Sequence, residues 1–151
     1  MISPELDPIA IVLPIRPISL KSRGYRQYQD RIKREVQALH RRPFQGRDLY
    51  VQVVWFHSRK ERQDLDNIAK RILDALKGAA YDDDSSVAKC MLERVFYTEG
   101  SPQITGRAPA SAYRELIRMM AEGMDNIIYV EVGVIASSAR AIALGTERQQ
   151  G

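Results

Sequence analysis

The chain has 151 residues, 44% of them hydrophobic and 28% charged, which suits one folded domain and excludes wholesale disorder. No run approaches the ~20 apolar residues of a membrane span, so no membrane partner is expected. Cys90, the single cysteine, cannot close an internal disulfide, and with two histidines it cannot build a zinc site. Met1 to Glu5 is acidic rather than basic and does not read as a secretory signal, so a cytoplasmic protein is expected.

Lys and Arg number 23 against 19 Asp and Glu, a net charge of +4. The excess is unevenly spread. Between Arg16 and Arg47 stand Arg16, Lys21, Arg23, Arg26, Arg31, Lys33, Arg34, Arg41, Arg42 and Arg47, against only Asp30 and Glu35. Such a block suits a polyanion, because each cation placed on a phosphate releases a condensed counterion. A solvated basic helix face is the plainer alternative.

In chain order, Ile9 to Leu13 predicts a strand, stopped by Pro14 and Pro17. Tyr25, Tyr28, Ile32, Val36 and Leu39 recur at helical spacing and predict an amphipathic helix ending before Pro43. Leu49 to Phe56 is β-prone and apolar enough to be covered on both faces. Ile68, Ile72, Leu73, Leu76 and Ala79 mark a second helix from about Asp66 to Gly78. Val87 to Tyr97 predicts a half-buried strand with Ala88, Cys90, Leu92 and Phe96 on one face.

A third helix is predicted over roughly Ser111 to Met124, with Tyr113, Leu116, Ile117, Met120 and Met124 as its stripe. Ile127 to Ile135 then alternates as a last strand. The expected fold class is α+β, a small mixed sheet with amphipathic helices packed on it. Residues 1–135 form the expected domain, and 136–151 an irregular tail.

The chemistry gathers around the second helix, in Asp64-Leu65-Asp66-Asn67 with Lys70, followed by Asp82-Asp83-Asp84. In extended backbone, Asp64 and Asp66 point to one face. Crowded carboxylates raise one another's pKa, and a hard divalent cation such as Mg²⁺ or Mn²⁺ relieves that repulsion. Plainer roles exist for each residue: Asp64 or Asp66 as a helix cap, Lys70 as an i,i+4 partner of Asp66, Asp82 to Asp84 as a polar turn. Two acidic clusters flanking one helix in a basic chain form the charge arrangement that a nuclease requires.

Asp64-Leu65-Asp66-Asn67, Lys70, Asp74-Ala75-Leu76 and Asp83-Asp84-Ser85-Ser86-Val87 together resemble the RusA family of Holliday junction resolvases, endonucleases of phages and prophages. Ile11-Val12-Leu13-Pro14-Ile15-Arg16-Pro17 is similar to that family's N-terminal segment, so the resemblance spans about residues 8 to 98 and again 127 to 134. It implies Asp64, Asp66 and Asp84 as metal ligands, with Asp83 as the register alternative, and Lys70 as the catalytic cation. It also implies Mg²⁺ (or Mn²⁺) as the only cofactor, a homodimer, and branched DNA, a four-way junction, as partner in recombination and repair.

Arg16, Lys21, Arg23 and Arg26, in or beside the loop before the first helix, are assigned to DNA phosphates. Two departures from the family pattern stand out: a longer segment with an extra helix over about 98–126, and Leu20-Lys21-Ser22 where an asparagine is frequent. The rival readings are a non-catalytic DNA-binding protein and a nuclease acting on flaps or other branched DNA.

Overall fold

The Leu49–His57 run of the sequence is buried along most of its length and becomes a central strand. In the computed structural model, which describes residues 7–18, 23–59, 64–97, 108–136 and 145, the elements are β1 (Ile9–Leu13), α1 (Tyr25–Gln37), β2 (Leu49–His57), α2 (Leu65–Leu76), β3 (Val87–Phe96), α3 (Ala110–Ala121) and β4 (Asn126–Val134). The strand order is β1-β4-β2-β3. β4 is antiparallel to β1 and β2, and β3 is parallel to β2, so the sheet is mixed and the fold α+β.

Parallel neighbours need a crossover, and α2 supplies it between β2 and β3. Alternate residues of β2 and β4 feed two apolar layers. Leu49, Val51, Val53, Trp55, Ile128, Val130 and Val132 pack with α1 and α2. Val54, Phe56, Ile127 and Tyr129 pack with Ala112, Leu116 and Met119 of α3. Among the described residues no helix is long and apolar enough to cross a membrane.

Several boundaries and faces differ from expectation. α1 buries Tyr28, Ile32 and Val36, but Leu39 lies beyond its end and is exposed. α3 buries Ala112, Leu116 and Met119, whereas Tyr113 and Ile117, two members of the expected stripe, face outward. The reason is that α3 covers only part of one sheet face, so a narrower stripe suffices.

β3 is an edge strand and mostly exposed rather than half-buried. Its register slips between Val87 and Lys89, leaving Ala88 as the extra residue of a bulge. Cys90, Leu92, Arg94 and Phe96 pair beside Val51, Val53, Trp55 and His57, and therefore share the α2 side of the sheet without Ala88.

On the α3 side, Glu131 is buried and accepts hydrogen bonds from Tyr50 Oη at 2.6 Å and from Tyr129 Oη. Burial first, then the Glu131 bond, pushes both phenols well above their ordinary range. Gly133 is required beside them, since a Cβ there would meet the Tyr50 ring at 2.5 Å.

Candidate active site

α2 begins at Leu65, so Asp64 occupies the N-cap position and Asp66 already lies in the first turn. The extended-backbone argument for a shared face therefore does not apply. Asp64 makes no side-chain cap bond, which leaves its exposed carboxylate uncommitted to the helix. The helix stops at Leu76, short of Gly78, which takes the left-handed conformation (φ +86°) within the turn leading to Tyr81.

An open cleft of about 410 Å³ runs along α2. Asp66, Ala69, Lys70, Leu73 and Asp74 form one wall, and Tyr81, Asp84, Val87, Cys90 and Leu92 form the other. Asp66, Lys70 and Asp74 recur at four-residue intervals, which is why one helical face delivers all three. No ion pair involving Lys70 occurs among the described residues, so its ammonium is not spent on Asp66.

Tyr81 is fully buried and donates from Oη to Leu73 O at 3.0 Å, tying the turn to the helix. Burial raises its pKa, and the negative charges of Asp84 and Asp74, with Cys90, raise it further. Burial also pushes the Cys90 thiol up. Sequence reasoning quoted Asp74 within the motif but gave it no role, and gave none to Tyr81 or Cys90; the four-residue spacing of Asp66, Lys70 and Asp74 was the signal that could have placed the first in the site.

Asp83 and Asp84 separate cleanly. Asp83 caps the Asp84–Ser86 3-10 turn, accepting from Ser85 Oγ at 3.0 Å and from Ser85 N–H at 3.5 Å. Those bonds from Ser85 hold its carboxyl below the usual range. Asp84 lines the cleft.

Asp64 is not part of the cleft lining, and among the described residues no three His, Cys, Asp or Glu side chains gather closely enough to hold an ion. Asp64 is the N-cap of α2 and lies outside the cleft, whereas Asp66 lines it from the first turn of α2 and Asp84 from the turn before β3.

Of the basic residues, Arg16 and Arg23 are exposed ahead of α1, and Lys21 lies outside the described residues. Arg26 donates to Tyr25 Oη at 3.3 Å. Arg71, from α2, stacks over the same ring with its guanidinium carbon 4.3 Å from the centroid. Tyr25 thus joins the basic start of α1 to the helix that carries Lys70.

No curated protein matches this chain. The family described as endodeoxyribonuclease RusA matches residues 17–106, from Pro17 through α1, β2, α2 and β3, and stops short of α3. That span exceeds half of the sequence and contains the whole cleft, and it shows that the chain belongs to the RusA family of Holliday-junction-resolving endonucleases.

Proposed function

We propose that this protein is a metal-dependent endonuclease that resolves four-way DNA junctions by paired symmetric nicks, in recombination and repair. The observation that carries the reading is the cleft lined by Asp66, Lys70 and Asp84, with Lys70 in no ion pair among the described residues. The donor chemistry fits a hard cation, since Asp64, Asp66 and Asp84 offer only carboxylate oxygens and, among the described residues, none is spent in a cap bond or ion pair. These three would hold Mg²⁺ or Mn²⁺, whose chemistry when bound is to acidify water and offset charge on phosphate oxygens. Lys70 would place a compact cation against the charge that develops on the phosphate being cut.

A homodimer is the working unit in this reading, with the open cleft along α2 facing a second copy. In a two-fold pair with antiparallel α2 helices, the Asp66 end of one protomer meets the Asp84 end of its partner, twice. Two such sites match the two-fold symmetry of a four-way junction. Arg16, Lys21, Arg23 and Arg26 would hold phosphates of the arms. Residues 1–135 are read as the nuclease unit, with the stretch over about 98–126 as an addition to it.

Incubation of the protein with a labelled four-way junction, a flap, a duplex and single-stranded DNA, with Mg²⁺ and with EDTA, tests the reading. Mg²⁺-dependent symmetric cuts in the junction support it, and junction binding without cutting leaves the non-catalytic alternative.

A further inference from the structure

Leu92 is the last β3 residue that lines the cleft. Alternate residues of β3 share a face, so Arg94 and Phe96 continue the row of Cys90 and Leu92 beyond it in steps of about 6.6 Å. Arg94 is exposed and makes no ion pair among the described residues. Phe96 stands 39% exposed on an edge strand, an unfavourable place for an aromatic ring unless something covers it.

Its position is fixed from behind. The Phe96 ring lies 5.5 Å from that of His57, which lies 4.7 Å from that of Trp55. Trp55 is anchored by its Nε1–H donating to Asn126 Oδ1 at 3.0 Å, and His57 Nδ1 by Arg59 O at 2.6 Å. A held ring with an open side, one strand step from a guanidinium that no described carboxylate pairs, is the chemistry of a nucleotide seat: the cation takes a phosphate and the ring takes a base.

We propose that Arg94 and Phe96 seat a nucleotide adjacent to the phosphate that is cut, Arg94 on the neighbouring phosphate and Phe96 stacked on its base. This rests on the nuclease reading for which phosphate is cut, but the seat itself is a binding claim. A stacked ring tolerates any base, so the seat selects an unstacked nucleotide, as found where junction strands part, over uniform duplex. The plainer role for Arg94, a charge that keeps an edge strand from pairing, needs no DNA contact and no neighbouring ring.

The experiment uses the full chain with junctions carrying 5-iododeoxyuridine at single positions on either side of the cut site, irradiated in Ca²⁺ so that binding is read without cutting; where wild type cuts nothing, the label is walked along the junction strands through the branch point. Cross-linking to Phe96, located by peptide mass spectrometry, is expected at one label position and lost in Phe96→Ala, with about tenfold weaker junction binding restored by Phe96→Trp. Arg94→Ala should lower the slope of log K against log salt by about one, and Arg94→Lys should recover it.

Absence of cross-links to Phe96 from every label position overturns the seat. So does Phe96→Ala that binds junctions like wild type, or that changes only the protomer mass in sedimentation. A wild-type protein that cross-links at Phe96 but cuts nothing would sink the nuclease reading and leave the seat standing.

Discussion

Asp83 and Asp84 are neighbours in the chain with opposite commitments: Asp83 folds its carboxylate back onto Ser85, and Asp84 faces the cleft beneath α2. Asp84→Asn should therefore abolish cleavage and weaken Mn²⁺ binding measured by paramagnetic resonance. Asp83→Asn retains an oxygen for the cap and should cut normally. Loss of activity in Asp83→Asn with survival of Asp84→Asn would reverse the assignment.

The lowered Asp83 carboxyl also predicts a pH dependence. A depressed folded pKa contributes stability that is present above the ordinary carboxylate value and is lost as pH falls through the folded value. The turn before β3 should loosen only below the range in which exposed aspartates titrate. Carboxyl-carbon NMR titration checks this, and Asp83→Asn should erase the step; an ordinary carboxylate titration for Asp83 would contradict it. The group is exposed, so the effect on global stability is small.

Asp64→Asn and Asp66→Asn should each abolish cleavage while leaving junction binding intact or tighter, since each removes a ligand charge and a repulsion from DNA. Mixing is the sharper measurement. If one site uses Asp66 of one protomer and Asp84 of its partner, two inactive variants, Asp66→Asn and Asp84→Asn, form a mixed dimer with one intact and one doubly altered site. Cutting should reappear as single nicks on mixing. Complete inactivity of proven mixed dimers would mean that each site is built within one chain.

Lys70 separates chemistry from helix stability. As a mere surface residue, Lys70→Ala would cost at most about half a kcal/mol and little activity. Aimed at the cut phosphate, its loss should lower single-turnover cleavage of a saturated junction complex by on the order of 10²-fold, with binding unchanged. Lys70→Arg should rescue partially, because a planar fork replaces a compact ammonium. A near-normal single-turnover rate for Lys70→Ala would return Lys70 to the helix surface.

Removing Lys21 and Arg23 together should weaken junction binding and reduce the slope of log K against log salt by roughly one to two, uniformly across sequences. An unchanged slope would take these side chains off the DNA.

On the far face, Gly133→Ala should destabilise the fold by about 1–3 kcal/mol by driving a methyl into the Tyr50 ring. Denaturant unfolding of Gly133→Ala in a Tyr50→Ala background should show much of that penalty removed, because the clash has gone. Equal penalties in both backgrounds would mean that the ring is not what Gly133 accommodates.

The order of strands and helices was legible in the sequence because periodicity of two or 3.6 follows from burying one face. The motif around Asp64, Asp66, Lys70 and Asp84 was legible because its spacing is local. Tertiary structure decided what depends on neighbours. β3 reads as half-buried by its alternation, yet it lies at the sheet edge, where one side of its backbone has no strand and the bulge at Ala88 breaks the face. Tyr113 and Ile117 read as core, yet α3 meets only part of the sheet. Tyr81 and Cys90 carry no local signal of their own; they reach the cleft because α2 crosses from β2 to a parallel β3 and runs back along it. The same crossover brings Asp84 to the cleft that Asp66 lines, across seventeen intervening residues, because a chain returning through a helix fixes its ends by the length of that helix.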